Sequence, residues 1–458
     1  MRKWLCCCLA LLAATISLPA HSGENSPYSL AIFSADVTPL IGHPCMGGGI
    51  SPVKKIDDPL FAHGFVLLGA GKPIVVVSVD WCEIRNDAYE RWRKVLAEAA
   101  GTEPVRVLVS AIHQHDAPIA DLEAQRILNR AKATGKICDI EFHEKAVQRV
   151  AKALRDGLKK PRPITHFGIG QAKIDKLASN RRYLGEDGKP RFNRTSATRD
   201  PAIRAKPEGL VDPWLKTLSF WDGDQAVAAL SCYAIHPMSY YGKGGASSDF
   251  VGLGRQRRQA DDPKIFQIYA SGCSGNVVAG KYNDGAPENR PVLADRIYQG
   301  MTAAWKATMR YPLKDIDFRS VTLQLEPRND AGFSLQELEK RLTTDKRPFG
   351  QCLAALGLSW RKRVDAGAVI DLPLVDLGKA QLLLLPAEAY VEYQLMAKKM
   401  RPDSFVMVMG YGESAPGYIP IEKAVKEGDG NLSDWCWVAP GAEKRMTAAL
   451  AKVLKKNP

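Results

Sequence analysis

Short apolar runs rich in β-branched residues recur along the chain and predict buried strands. The six clearest are Ile74–Val79, Val105–Ile112, Ala226–Ile235, Ile265–Ala270, Ala380–Leu385 and Phe405–Met409. Continuous runs of this kind suit strands that are covered on both faces. Between and after them, repeating apolar faces predict helices at Asp87–Ala100, His143–Leu158, Asn289–Met309, Leu335–Leu342 and Ala442–Lys456. The alternation predicts an α/β fold in which helices cover mixed β-sheets.

One long stretch, Lys176–Pro213, breaks this pattern. It is rich in Arg, Asn, Gly, Asp and Pro, and it predicts an excursion with little regular structure. Long ordered loops of this kind usually serve a function. Gly242–Gly245 is a second, shorter patch of this type. No linker divides the chain, so we expect a single domain after the N-terminal segment.

The apolar runs share a further property, because polar and reactive residues follow several of them directly. The residues at these ends include Asp80, His113, His115, His236, Ser274, Asn276, Glu388 and Tyr411. In open α/β sheets, ligands bind beyond the carboxyl ends of the strands. If the strands are largely parallel, these ends meet at one rim, and the sequence predicts the active site there.

Histidines dominate this predicted rim. In extended backbone, residues two apart face the same side, so His113 and His115 can enter one cavity. His236 precedes Pro237, which favours extended backbone at the histidine. Together with Glu388, these residues are suitable ligands for zinc. The alternatives are hydrogen-bonded structural histidines and, for Glu388, a carboxylate placed at a helix N-terminus by the helix dipole.

Other chemistries find less support in the sequence. Gly412-Glu413-Ser414 is not a complete nucleophile elbow, because Pro416 stands where a glycine is needed. Phosphate-binding and dinucleotide-binding glycine motifs are absent. The formal charge of +13 is spread along the chain and carries no nucleic-acid motif. We therefore expect no nucleic-acid partner and a solvated basic surface, with contact to acidic membranes as the alternative.

The N-terminus predicts export. Arg2 and Lys3 precede an apolar run, Trp4–Leu18, and small residues follow near Ala20. This order is typical of a signal peptide, which we assign to residues 1–22, and it predicts a secreted or periplasmic protein. An uncleaved membrane anchor is the alternative.

Seven cysteines lie beyond the predicted signal peptide, and they show no C-x-x-C pair. Their spacing argues against a cysteine zinc site. We expect most of them to be buried apolar residues, with one or two disulfides left open as a possibility in an exported protein. The seven are Cys45, Cys82, Cys138, Cys232, Cys273, Cys352 and Cys436.

Seven motifs, taken in order, resemble the catalytic domain of the neutral/alkaline ceramidases. They extend from about residue 30 to residue 440, nearly the whole chain beyond the signal. The central one, Ser110–Pro118, resembles the family's histidine signature. The seven are Ala35-Asp36-Val37-Thr38-Pro39, Asp58-Pro59-Leu60-Phe61-Ala62, Ser110–Pro118, Ala234-Ile235-His236-Pro237, Ser248–Gly252, Leu385-Pro386-Ala387-Glu388 and Gly417-Tyr418-Ile419-Pro420.

The resemblance implies a zinc-dependent amide hydrolase. Its expected metal ligands are His113, His236, Glu388 and Tyr418. It also implies that His115 faces the scissile amide, and that an arginine of Asn180-Arg181-Arg182 contacts the substrate, for which Arg182 is our first choice. Residues 23–458 would form the catalytic domain, without the family's C-terminal immunoglobulin-like domain. The expected partner is a small amphiphilic N-acyl substrate such as ceramide, which is hydrolysed to sphingosine and fatty acid.

Some positions depart from the family pattern. Val278 stands where the family has a serine, Asn276 replaces an acidic residue, and Glu427-Gly428-Asp429-Gly430 replaces a tyrosine-bearing motif. Two alternatives therefore stay open beside a ceramidase. One is a zinc hydrolase of another acylated amine or ester, and the other is a non-catalytic binding protein on the same scaffold.

Overall fold

The computed structural model describes residues 26–455, so the predicted signal peptide, residues 1–22, lies outside the described residues. Within this range, three sheets of four or five strands carry the fold. In spatial order they are sheet I (Val107–Ala111, Gly71–Val79, Phe61–Gly69, Ser29–Asp36, Arg162–Pro163), sheet II (Phe266–Ser271, Gln225–Tyr233, Trp214–Asp222, His166–Lys173, Met309–Pro312) and sheet III (Asp317–Leu323, Ile370–Asp376, Ala380–Leu384, Phe405–Met409). Five two-stranded ladders complete the described strands: Lys55–Ile56 with Gly245–Ala246, Glu83–Ile84 with Ile119–Ala120, Ser179–Asn180 with Val277–Val278, Tyr183–Leu184 with Pro190–Arg191, and Glu388–Ala389 with Tyr418–Ile419.

The helices pack outside these sheets. In chain order the α-helices of residues 26–455 are Asn86–Ala100, Leu122–Arg130, Ile140–Gly157, Pro201–Ala205, Asp249–Asp261, Asn289–Lys306, Leu335–Thr344, Pro348–Asp365, Val391–Met400, Glu422–Lys426 and Ala442–Leu454. All five helices predicted from periodicity are present. The sequence pattern missed Pro348–Asp365, because Gly350–Trp360 is buried on every side and so shows no apolar stripe.

The six apolar runs form three parallel strand pairs, one at an edge of each sheet. Val75–Val79 pairs with Val107–Ala111 in sheet I, and Ala228–Tyr233 pairs with Phe266–Ser271 in sheet II. Ala380–Leu384 pairs with Phe405–Met409 in sheet III. The other pairings within these sheets are antiparallel. The sheets are therefore mixed rather than largely parallel, yet the strands that precede the reactive residues are the parallel ones.

A common apolar core joins the three sheets. One cluster of buried side chains takes Phe65 and Val76 from sheet I, Leu230 from sheet II, and Leu382 and Met407 from sheet III. Two further clusters lie between the sheets and the helices. Each sheet therefore faces the other two on one side and helices on the other. This arrangement confirms the predicted α/β fold of mixed sheets with covering helices.

Hydrogen bonds tie the carboxyl ends of the three parallel pairs to one another. The Ser110 hydroxyl donates to the Gly410 carbonyl at 2.8 Å, which joins sheets I and III. The Gly410 amide donates to the Ser271 carbonyl at 2.8 Å, which joins sheets III and II. The Ser271 hydroxyl donates to the Ile112 carbonyl at 2.7 Å, which closes the ring. Residues that follow these strands must therefore lie close together.

Two further sequence predictions concern cysteines and membrane spans. The seven cysteines of the described residues are buried and form no disulfide with one another, as expected for small apolar core residues. Across residues 26–455, none of the helices combines the length and apolar character that a bilayer crossing requires.

Candidate metal centre

Three of the predicted ligands, one from each sheet, meet at a single point. His113 follows sheet I, His236 follows sheet II and Glu388 follows sheet III. The Glu388 Oε2 atom lies 2.9 Å from His236 Nε2 and 3.3 Å from His113 Nε2. All three side chains are buried. We call these residues the acceptor cluster.

Both imidazoles of the acceptor cluster are oriented by backbone carbonyls. His113 Nδ1 lies 3.1 Å from the Cys82 carbonyl oxygen, and His236 Nδ1 lies 2.5 Å from that of Ser274. A carbonyl only accepts, so each Nδ1 carries a proton, and in the neutral form of each ring the Nε2 lone pair faces the centre. Metal-binding histidines are commonly fixed in this manner. Two nitrogens and one carboxylate oxygen form a donor set that suits zinc.

Tyr418, the fourth predicted ligand, lies beside the same point. It pairs with Glu388 in a short parallel ladder, and its side chain interacts electrostatically with the Glu388 carboxylate. Arg181 Nη1 donates to the Tyr418 hydroxyl at 2.7 Å, while Arg181 Nη2 lies 3.4 Å from His236 Nε2. The structure therefore brings all four predicted ligands together and adds a buried guanidinium.

The backbone at the centre departs from the extended conformation that the sequence suggested. His113 has φ 68°, Ala387 has φ 53° and Tyr411 has φ 55°. Positive φ is strained for residues other than glycine, and such strain gathers at functional sites. The His113 and His115 rings still approach to 5.3 Å between centroids. A left-handed turn at His113, rather than an extended strand, brings them together.

His115 lines a pocket of about 320 Å³ together with His113, Glu388, Tyr418 and Arg181. Its ring centroid is 6.3 Å from that of His236 and 5.2 Å from that of Tyr241 at the pocket wall. Its Nδ1 has no hydrogen-bond partner among the described residues. The other walls combine apolar and polar side chains: Met46, Met238, Phe349 and Trp435, with Thr195, Ser196, Asn431 and Asp434.

Electrostatics favour a cation at the acceptor cluster. Burial opposes the charge of Glu388, but His113 and His236 outweigh it and hold the pKa of this carboxyl well below its ordinary value. Burial also acts against His113, whose pKa is nevertheless raised by Glu388. Burial, followed by Arg181, lowers the pKa of His236 to about 4. The ionised carboxylate thus attracts positive charge to the point where the two imidazoles converge.

The structure places Arg182 away from this pocket. Its guanidinium forms an ion pair with Glu427, with Nε at 2.5 Å and Nη2 at 2.8 Å from the two carboxylate oxygens. It lines a neighbouring, largely apolar cavity of about 290 Å³. Arg181, not Arg182, reaches the acceptor cluster, while contact of Arg182 with the substrate stays a prediction.

The two departures near residue 276 also lie outside the pocket. Val278 is fully buried, and its carbonyl accepts a hydrogen bond from the Ser179 hydroxyl at 3.0 Å. Asn276 donates to Glu392 at 2.9 Å and accepts from the Val391 amide at 2.9 Å. Neither side chain faces the acceptor cluster.

Several residues at the centre received no role in the sequence analysis. Tyr411 stacks on His113 with ring centroids 4.3 Å apart, and its hydroxyl pairs with that of Ser274 at 2.6 Å. Cys82 and Glu83 lie on the far side of His113, with the sulfur 4.0 Å from Nδ1. Tyr411 could have been predicted at the centre because it follows the end of a strand. Cys82 and Glu83 follow Asp80 at the end of another strand, so the same reasoning could have found them.

Comparisons with known proteins find similarity in fold. No family model matches the sequence, and no curated protein matches it. Among solved structures, the neutral ceramidase from Pseudomonas aeruginosa aligns with a TM-score of 0.66 and 16% identity, over 94% of this chain and 74% of that chain. A ceramidase complexed with C2 aligns with a TM-score of 0.65 and 16% identity, over 94% and 75% of the two chains. The chain therefore has the fold of the neutral ceramidases.

Proposed function

We propose that this protein is a zinc-dependent hydrolase that cleaves the amide bond of an N-acyl amphiphile of the ceramide type. One observation carries the proposal. Three buried acceptor atoms, His113 Nε2, His236 Nε2 and Glu388 Oε2, face one point while carbonyls occupy both Nδ1 atoms. Buried acceptors need a donor or a cation between them. Tyr418 would complete the ligand set.

A zinc ion at this place would supply a Lewis acid for the amide carbonyl and activate water for the attack. The chain's own groups account for the remaining requirements. Arg181 holds the Tyr418 hydroxyl and directs positive charge to the pocket end where negative charge develops on the carbonyl oxygen. The carbonyls of Cys82 and Ser274 keep both imidazoles in the orientation that binding requires.

His115 is the proposed proton carrier. Its ring lies beside His113 at the pocket and is held by edge contacts with Tyr241. From this place at the pocket wall, the imidazole can pass a proton to the leaving nitrogen. The apolar side chains of Met46, Phe349 and Trp435 limit the access of water around the acyl portion.

Ceramide is the proposed substrate because of the fold shared with ceramidases, one of them complexed with C2. The pocket of about 320 Å³ lies at the lower end of the range for small-molecule sites, so it would hold the amide and the start of each chain. The proposal also includes export to the periplasm or the medium, on the basis of Arg2, Lys3 and the apolar run that follows.

The test is hydrolysis of a panel of N-acyl amines, including N-acyl sphingoid bases of different acyl length and a matching ester series. Turnover and metal content are measured before chelation, after chelation and after zinc is added back. We expect about one zinc per chain, loss of turnover on chelation, and recovery with zinc. His113→Ala should lose both metal and turnover. His166→Ala, which changes a histidine at the start of a sheet II strand, is the matched control and should keep both.

Each alternative gives a different result. Turnover that resists chelation would rule out the metal mechanism. Preference for the ester series would indicate a related zinc hydrolase with another substrate. Zinc binding without turnover of any panel member would indicate a binding protein that retains the scaffold.

A further inference from the structure

An exposed apolar rim lies beside the active-site pocket. Leu40 and Ile41 are adjacent at the tip of a turn and are 68% and 64% exposed. Ile56 and Tyr241 are also exposed nearby, so four of the ten large apolar side chains exposed among residues 26–455 belong to this one region. Single exposed apolar residues are ordinary, whereas grouped ones mark interaction surfaces. We call residues 40–41, 54–56 and 241–243 the rim.

Backbone hydrogen bonds make the rim one continuous surface. The Gly42 amide donates to the Val53 carbonyl at 2.7 Å, and the Lys54 amide donates to the Gly244 carbonyl at 2.8 Å. The turn at Leu40–Ile41, the 53–56 segment and the 241–246 segment therefore lie side by side. These hydrogen bonds fix the positions of the three segments relative to one another.

The rim reaches the pocket through Tyr241. This residue lines the pocket, contacts His115 and remains 36% exposed. The next residue, Gly242, donates its amide to Asp116 Oδ1 at 2.8 Å. A molecule bound along the rim would thus be placed next to the pocket entrance.

Basic side chains accompany the apolar ones. Lys54, Lys55 and Lys243 are exposed on the rim. Lys55 pairs with Asp57 at 2.7 Å, but Lys54 and Lys243 form no ion pair with any residue in the described range. The whole chain carries a formal charge of +13. Exposed apolar side chains suit the acyl chains of a bilayer, and the lysines beside them suit the anionic headgroups above those chains.

We propose that the rim docks this protein on an anionic lipid bilayer, with Leu40 and Ile41 inserted among the acyl chains. The inference rests on the proposed function, since a bilayer would deliver an N-acyl lipid directly to the adjacent pocket. Tyr241 lies at the headgroup level, where aromatic rings favour the interface. Lys54 and Lys243 face the anionic headgroups, with their aliphatic stems along the apolar layer.

The experiment measures co-sedimentation of the purified full chain with vesicles. The vesicles contain phosphatidylcholine alone or phosphatidylcholine with phosphatidylglycerol. We expect binding mainly to the anionic vesicles, and weaker binding at high salt because lysine–headgroup attraction is screened. The double variant Leu40→Ser with Ile41→Ser should lower the partition coefficient at least about tenfold, because two inserted apolar side chains are lost. Lys54→Gln with Lys243→Gln should remove the preference for anionic vesicles.

Two controls keep the outcomes separate. Met309→Ser removes an apolar side chain that is 60% exposed at the edge of sheet II, and it should bind vesicles as the unchanged protein does. Turnover of a water-soluble short-chain N-acyl amine should be equal in all these variants, because none of the changed residues lines the pocket.

The docking proposal and the proposed function can each be contradicted without the other. Absence of vesicle binding by the unchanged protein, or equal losses in the Met309 and Leu40–Ile41 variants, would overturn the docking proposal. A dimer in solution that depends on Leu40 and Ile41 would assign the rim to a second copy and would also overturn it. Vesicle binding without turnover of any amide would leave docking intact and reject the proposed function.

Discussion

Two buried polar regions lie next to each other in this protein, and their hydrogen bonding differs. Around Arg85, the guanidinium donates to Glu83 at 2.6 Å and to the Ala415 carbonyl at 2.8 Å. Asp121 in turn accepts hydrogen bonds from Asn86 and Ser359 at 2.8 and 2.7 Å. In the Arg85 network, donors face acceptors.

The acceptor cluster has the opposite character. Its two Nε2 atoms and the Glu388 carboxylate converge, and the proton on each ring is already directed to a carbonyl. Both regions are equally buried, so burial of charge alone does not identify a functional site. What distinguishes the two is that Arg85 supplies a positive charge inside the first region, whereas the second gathers three acceptor atoms and, on our proposal, takes up a cation. Unmatched buried groups are expected where function, rather than stability, determined the residues.

The largest expected effect is on activity, from Glu388→Gln. The amide keeps the shape of the carboxylate but removes its charge, so the metal site is lost. We expect kcat/KM for the preferred amide to fall by about 10³-fold or more, beyond the 10–100-fold typical of residues that support metal ligands. The free energy of unfolding of the metal-free protein should change by less than about 1 kcal/mol, because the amide of glutamine can donate a hydrogen bond to an imidazole Nε2 that the carboxylate only faces. Retention of both zinc and turnover would contradict the assignment.

The next effect is on stability, from Arg85→Ala. This change leaves the Glu83 and Asp121 carboxylates buried without their cation. Breaking one side of a buried ion pair costs about 3–5 kcal/mol, measured as the free energy of unfolding in urea. The matched control is Arg91→Ala, which breaks a partly exposed pair with Glu144 and should cost about 1 kcal/mol or less. Equal losses in the two variants would show that the Arg85 network contributes no more stability than a partly exposed ion pair.

The sequence could predict the convergence but not the details of the ligands' geometry. The parallel pairs are continuous apolar runs, so their ends could be located, and the residues that follow could be expected to meet. The left-handed backbone at His113 could not be predicted, because nothing in a Ser-Ala-Ile-His-Gln-His segment requires positive φ. The convergence of three acceptors depends on how the sheets pack, and local sequence does not encode that packing.

His143 is a buried histidine outside both of these regions, and it can be compared with His113. His143 packs 6.2 Å from Trp81, and neither ring nitrogen has a hydrogen-bond partner among the described residues. Within residues 26–455 it has, unlike His113, no buried carboxylate beside it whose negative charge could offset the effect of burial on its pKa. Burial lowers its pKa to about 4, although Glu144 nearby acts in the opposite direction.

This lowered pKa predicts a loss of stability in acid. Between pH 6.5 and 4, the unfolded chain takes up a proton at His143 that the folded chain does not, so folding becomes less favourable as the pH falls. The loss from this group is at most about 3 kcal/mol. His143→Phe should flatten the dependence of the unfolding free energy on pH in this window. Urea titrations in the presence of a chelator isolate the effect from metal release, and an unchanged slope in the variant would refute it.

The smallest effect distinguishes two consecutive arginines. Arg181 uses one nitrogen to hold both the Tyr418 hydroxyl and the Asn431 side chain, at 2.7 and 3.1 Å, while a second nitrogen faces His236. Arg182 pairs with Glu427 and is about one-third exposed. Lysine keeps the charge but cannot reproduce the planar fork. We therefore expect Arg181→Lys to lower kcat/KM about 10–100-fold and Arg182→Lys to change it less than about twofold.

The pair of variants also tests the reason for their difference. The two guanidiniums point to different partners, Tyr418 for Arg181 and Glu427 for Arg182. An irregular stretch offers no periodicity from which these directions could be read, so sequence alone could not predict which of the two arginines lies beside the acceptor cluster. If Arg182→Lys proved the more damaging change, the neighbouring apolar cavity that Arg182 lines, and not the pocket beside His115, would be where the substrate binds.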